Sequence, residues 1–146
     1  MHYETNPLSQ KGKGENYNYN QEHCFIKLSS RETNGELGLI EDSLKPGFHL
    51  KRHHHKVMTE IFYMLEGEME LIFDTETITL KPGDTITVAP NVWHEALCKE
   101  GGKMLTLFKN GEFDVFLETL SKMTADDFAD LALMRSVSEK YDIYES

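Results

Sequence analysis

The sequence predicts a single antiparallel β-barrel or β-sandwich followed by a helical tail. Three observations carry that expectation. Short β-type runs separated by turn residues fill the stretch from Cys24 to about Phe108. Two segments after residue 111 switch to helical periodicity. The chain has 146 residues, which suits one domain with one core.

The first 22 residues, "MHYETNPLSQKGKGENYNYNQE", are polar, rich in Asn and Gly and without an apolar period. They read as a flexible N-terminal arm, with Tyr17 and Tyr19 as residues that could dock it. Residues 23–110 hold the runs "CFIKL", "ELGLIEDSL", "EIFYMLEG", "EMELIF", "TITL", "TITVAP", "WHEALC" and "KMLTLF". Their spacing is that of a sandwich or barrel. The turns have their own chemistry: Asn34-Gly35 tolerates positive φ, and Lys81-Pro82-Gly83-Asp84 joins a φ-fixing proline to a glycine.

Residues 111–146 are expected as two helices packed on the barrel. Phe113, Phe116, Leu117 and Leu120 mark one apolar face. Thr124 and Asp127 form a capping-box pattern ahead of Phe128, Leu131, Ala132 and Arg135 at helical spacing. Residues 141–146 are expected to fray.

Charge and cysteine usage narrow the function. Twenty-five acidic against fifteen basic side chains leave a formal charge of −10, the wrong sign for a phosphate-backbone binder, and no basic patch is segregated. No nucleic-acid partner is expected. Cys24 and Cys98 lie far apart without a Cys-x-x-Cys pair and read as inert core thiols. No apolar run approaches the roughly 18 residues of a spanning helix, and no signal-peptide pattern opens the chain. The expectation is a soluble, cytoplasmic protein with no membrane partner.

The chemistry concentrates in "HLKRHHHKVMTEIFYMLEGEMEL", residues 49–71. If Arg52 to Lys56 is extended, His53 and His55 share one face and His54 takes the other. Glu60 opens the next strand, sharing its face with Phe62 and Met64. With a tight connection, the Glu60 carboxylate meets two imidazoles, and two histidines with one carboxylate form a facial triad that leaves open positions on a transition metal. His94 opens a later strand after the Pro90-Asn91-Val92 turn. Alone it is a single histidine, more often satisfied structurally than bound to metal; its place at the strand start raises it to a fourth candidate. The bland alternative for the histidine run is a solvated basic turn, and for the apolar residues plain core filling. His49 is expected at the pocket edge or the surface.

These residues resemble the cupin superfamily. Gly47, five residues, His53-x-His55, four residues, Glu60, six residues and Gly67 match the first motif of that family. Gly83, five residues, Ala89, then Asn91, two residues and His94 match the second. Ala89 stands where proline is usual, Asn91 where glycine is usual and Cys98 where asparagine is frequent; the four ligand positions are intact. "LSSRETNGELGLIEDSLKPG" and "FKNGEFDVFLETLSK" are in addition similar to single-domain quercetin 2,3-dioxygenase-like cupins.

The resemblance implies an all-β cupin (jelly-roll) barrel with a short helical extension. It implies one divalent transition metal (Fe, Mn, Ni, Cu or Zn) held by His53, His55, Glu60 and His94, with Glu60 also a candidate general base. It further implies a small-molecule substrate, phenolic or enolic, and dioxygenase-type chemistry, with Phe62, Met64 and Phe108 as candidate pocket residues. Two other classes stay open: metal-dependent cyclisation, isomerisation or lyase chemistry without dioxygen, and a non-catalytic ligand-binding cupin. A homodimer through outer strands and terminal arms is the preferred assembly.

Overall fold

The computed structural model describes residues 7–146 and is built on two antiparallel sheets. The strands are β1 (Asn16–Asn18), β2 (Glu22–Leu28), β3 (Leu37–Leu44), β4 (Phe48–His54), β5 (Thr59–Glu66), β6 (Met69–Phe73), β7 (Thr77–Leu80), β8 (Thr85–Val88), β9 (His94–Cys98), β10 (Gly102–Lys109) and β11 (Tyr144–Glu145). One sheet runs β1-β2-β3-β10-β5-β8, the other β11-β4-β9-β6-β7. From β3 onward, with the β6–β7 hairpin as the exception, consecutive strands alternate between sheets, so residues far apart in sequence face one another across the interior.

Side-chain parity decides what the interior contains. Along β3, Gly38, Ile40, Asp42 and Leu44 are buried while their neighbours are half-exposed. Between the sheets, Phe48, Phe62, Met64, Met69, Leu71, Val88 and Met104 pack with neighbours into one apolar cluster. Cys24, Ile26, Ile40, Met58, Phe108 and Leu117 form a second. Burying one such large side chain contributes roughly 1.5–3 kcal/mol. The second cluster closes only because Gly38 has no Cβ: the Phe108 ring lies directly over it.

The turns take the conformations their residues suggest. Asn34 and Gly35 have φ of 54° and 77°, Gly83 89° and Asn91 67°. Gly67 combines φ of 77° with a backbone contact to Gly101 that leaves no room for a Cβ, which accounts for a glycine at that motif position.

Both ends of the chain differ from the sequence expectation. Asn16–Asn18, inside the segment read as an arm, pairs with β2 in the register Tyr17 opposite Cys24, and Tyr17 and Tyr19 pack on the second apolar cluster. The remainder of the arm before residue 7 lies outside the described residues. Three helices, not two, follow the barrel: α1 (Phe113–Ser121), α2 (Ala125–Ala129) and α3 (Leu131–Lys140).

The expected capping box of Thr124 and Asp127 is present. The helix it starts stops at Asp130, which leaves helical geometry (φ −85°, ψ 95°) so that its carboxylate can cap Leu133 N at 3.1 Å. Helix α1 buries Leu117 and is tied to the barrel by Asp114, which accepts from Ser29 Oγ at 2.8 Å and Ser30 N at 3.1 Å. Helix α2 buries nothing, and Phe128 and Leu131 are 43 % and 80 % exposed. Finally, Tyr144 and Glu145 do not fray: they pair with His54 and His53 as an edge strand on β4. Among the described residues no helix is long and apolar enough to cross a membrane.

Candidate metal centre

Strand β4 closes on His53 and His54, and a register irregularity between Leu50 and His53 brings His53 directly opposite His94 on β9. His53 and His55 are buried, with His54 on the other face, as the parity of an extended segment requires. Glu60 on β5 faces the same interior point. The ligating atoms of His53, His55, Glu60 and His94 lie within 4.8 Å of one another. The ring centroids of His53 stand 4.2 Å from those of His94 and 5.0 Å from those of His55.

The outer nitrogens fix how each ring is presented. His53 Nδ1 donates to the Lys51 carbonyl at 2.6 Å, His55 Nδ1 to the Asp142 carbonyl at 2.8 Å, and His94 Nδ1 to the Val92 carbonyl at 2.8 Å. Each ring thereby engages its Nδ1 proton outward and turns Nε2 inward, the orientation a metal-binding imidazole needs. His55 Nε2 and His94 Nε2 are buried without a hydrogen-bond partner. The Glu60 Oε1 atom sits close against His55 Nε2. Buried, unpartnered imidazole nitrogens gathered around a carboxylate are costly unless a cation completes them. The residues therefore fit one divalent transition metal ion, and three imidazoles with one carboxylate suit the nitrogen- and oxygen-loving members of that series.

Electrostatics follow from enclosure. Burial, reinforced by His53, pulls His94 down to about 4. Burial also lowers His53, partly offset by Glu60. At His55 burial acts in the same direction but is outweighed by Glu60 and Asp142, so its protonated form is favoured. Burial would raise Glu60, but the surrounding imidazoles hold it below the usual carboxylate range. The site thus keeps Glu60 anionic and at least two imidazoles neutral, the states a metal ion requires.

The outer face of the histidine run has a different role. His54 stacks on Tyr144 at 5.4 Å and meets Trp93 edge-on at 4.2 Å, while Arg52 covers Trp93 at 4.1 Å. His49 is surface-exposed and bonds Glu95. Phe62 and Met64 do share the Glu60 face, but they are enclosed in the main apolar cluster, and Phe108 in the second. All three are packed core side chains rather than the walls of an open cavity.

Asp142 escaped the sequence reading. Its carboxylate accepts from the backbone N–H groups of Lys56 (2.7 Å), Val57 (3.0 Å) and Met58 (2.8 Å), so the loop joining the histidines to Glu60 is held from the far end of the chain. Its positive φ of 65° aims the backbone carbonyl at His55. No local pattern in "KYDIYES" announces this; the left-handed tolerance of aspartate is its only trace.

Comparison with known proteins agrees with the geometry. The sequence profile of the family described as "Cupin domain" matches residues 41–108, a span containing all four ligand residues. The chain is 30 % identical over 112 residues to quercetin 2,3-dioxygenase of Bacillus subtilis (strain 168), covering 76 % of this chain and 33 % of that protein. It thus spans about a third of the length of that curated relative. An RmlC-like cupin from Shewanella frigidimarina NCIMB 400 superposes with a TM-score of 0.65 at 22 % identity, over 76 % of this chain and 96 % of the other. The polyketide cyclase RemF from Streptomyces resistomycificus gives 0.61 at 17 % identity, over 72 % and 80 %. At these identities the structural likenesses speak for the shared fold alone.

Proposed function

Because the chain is a cupin, with the jelly-roll barrel of that family and a His-His-Glu-His cluster able to hold a metal ion, we propose that it is a metal-dependent oxygenase of the dioxygenase type acting on a small phenolic or enolic molecule. The observation that carries the reading is Glu60: it is the single carboxylate in the cluster, anionic, and in contact with His55. The similarity to quercetin 2,3-dioxygenase supports the oxygenase choice.

A divalent ion held by these residues would supply Lewis acidity, favouring the ionised form of an enol or phenol oxygen. The protein supplies the rest. His53, His55 and His94 are locked by their Nδ1 bonds, so the cage keeps its shape when Glu60 moves. Glu60, kept anionic by the surrounding imidazoles, is the group placed to take the substrate hydroxyl proton onto its carboxylate. The packed side chains of Phe62 and Met64 on the Glu60 face keep that part of the interior apolar.

The same Glu60 proton transfer serves a second reading, cyclisation or isomerisation without dioxygen, and the fold shared with a polyketide cyclase keeps that reading in view. The test is oxygen consumption by the metal-loaded chain against phenolic and enolic compounds, with Glu60→Gln alongside. The oxygenase reading expects uptake of dioxygen in step with substrate loss, and a drop of about a hundredfold to ten-thousandfold in the fully metallated variant. Product formation under strict anaerobiosis would transfer the assignment to the second reading.

A further inference from the structure

The inner face of the six-stranded sheet is apolar except along one line. Its buried positions on β2, β3, β10 and β5 are Cys24, Ile26, Gly38, Ile40, Leu44, Met104, Phe108, Phe62 and Met64, together with four polar residues: Glu22, Asp42, Thr106 and Glu60. Register places those four on a single diagonal. Glu22 pairs with Leu44, two residues from Asp42; Asp42 pairs with Met104, two from Thr106; Thr106 pairs with Phe62, two from Glu60. Each step crosses one strand and advances one inward position, so each polar residue is the diagonal neighbour of the next, at a backbone spacing of about 7–8 Å.

We infer that Glu22, Asp42 and Thr106 form a proton path through the barrel wall, connecting a solvent cavity at Glu22 with Glu60 in the metal centre, the two outer carboxyls holding one proton between them.

The outer end is open. Glu22 lines a cavity of about 420 Å³ with Tyr19, Gln21 and Leu117, reaching solvent at the exposed Asn18 and Asn20. The middle is closed: Asp42 is 4 % and Glu22 9 % exposed. Among the described residues no lysine, arginine or histidine occupies a buried inward position on these four strands. The groups that face the pair are Tyr19, Cys24, Thr106 and Glu60, none of them cationic. Two enclosed carboxyls without a counter-cation cannot both ionise, so a proton stays.

The contacts agree with this placement. The Asp42 carboxyl is in side-chain contact with Glu22 and with the Thr106 hydroxyl, and it lies within electrostatic reach of Glu60. Burial, aided by Glu22, raises Asp42 well above the carboxylate range, and burial raises Glu22. Asp42 Oδ1 is enclosed with no hydrogen-bond partner, an acceptor position left for a moving proton.

In operation a proton received by Glu60 passes through the Thr106 hydroxyl to the acid pair, while the proton of the pair leaves from Glu22 to water. Every member then regains its starting proton count and no electrons move. The use of the path in turnover rests on the reading of Glu60 as general base. Its existence can be measured without substrate, so the two fail separately.

The experiment is time-resolved infrared spectroscopy of the purified full-length chain, following the C=O stretch of a protonated carboxylic acid after mixing into D₂O. At neutral pH the wild type is expected to show this band and Asp42→Asn to lack it. Glu22→Gln keeps the polar contact but removes the acid, and should slow the deuterium shift on the order of a hundredfold. In that background Thr106→Val should slow it further, while Thr106→Ser, which restores the hydroxyl, should not. Absence of the band in the wild type overturns the shared proton. Exchange at the wild-type rate in Glu22→Gln, or an equal rate with Val and Ser at position 106, overturns the path.

Discussion

His55 donates its Nδ1 proton to the backbone carbonyl of Asp142, 87 residues further along the chain, at 2.8 Å. A ligand imidazole is therefore oriented by the last turn of the molecule, and the carboxylate of the same Asp142 holds three successive N–H groups of the loop after His55. Replacing Asp142 by Ala removes that loop anchor and strands three backbone donors.

Metal affinity in Asp142→Ala should accordingly fall by about tenfold to a hundredfold, the range for outer partners of metal ligands. Asp142→Asn keeps the left-handed preference and one carboxyl-type oxygen and should lose much less. Competition against a chromogenic chelator measures both. Wild-type affinity in Asp142→Ala would reduce the residue to a loop support.

The three consecutive histidines separate by parity. His53→Ala and His55→Ala each remove a buried inward ring and should lose most bound metal, whereas His54→Ala removes a ring lying between Tyr144 and Trp93 and should retain it. Elemental analysis of the three proteins, purified without chelators, reads the difference. Equal losses at all three positions would contradict the strand orientation.

The Glu22–Asp42 pair should give stability a definite pH dependence. Both carboxyls are raised by burial in the folded chain, so above the ordinary carboxyl range of about 4 the folded state binds more protons than the unfolded one. The contribution of the pair is fully present below that range and is lost as pH rises through the folded values. Asp42→Asn cannot ionise, so relative to wild type it should gain stability from pH 4 upward. Urea unfolding at several pH values tests this, and a wild-type minus variant difference independent of pH would mean that the pair ionises as it does in the unfolded chain.

The helical tail should tolerate polarity where it buries nothing. Leu131→Glu, at a residue 80 % exposed, should leave the melting temperature within about 2 °C, while Leu117→Ala, buried in the second cluster, should cost about 2–5 kcal/mol. Thermal and urea melts distinguish the two, and a large effect at Leu131 would show that α3 is covered in solution.

Three members of the candidate metal centre were legible from spacing: alternation puts His53 and His55 on one side, and the short loop brings Glu60 to them. His94 depended on family resemblance, since a single histidine has no parity partner; the register of His53 opposite His94 supplies what sequence could not. Alternation also identifies Phe62, Met64 and Phe108 as inward but says nothing about whether space remains in front of them, so core and pocket were indistinguishable. The break at Asp130 was hidden because a carboxylate in a helical pattern serves equally as exposed surface and as a cap. Asp142 and the edge strand β11 were out of reach, their partners being more than eighty residues away with no local signal. The diagonal of Glu22, Asp42 and Thr106 needs the register of four strands at once, which no single segment contains.

The most direct measurement is native mass spectrometry of the chain purified without chelators, beside a variant carrying both His53→Ala and His94→Ala, which removes two facing ligands and leaves the surface unaltered. A single transition-metal ion per wild-type chain, absent from the folded variant, is the predicted result. A wild type that takes up no ion after incubation with Fe(II), Mn(II), Ni(II), Cu(II) or Zn(II), or a variant that retains its ion, would contradict the assignment of these residues as a metal centre.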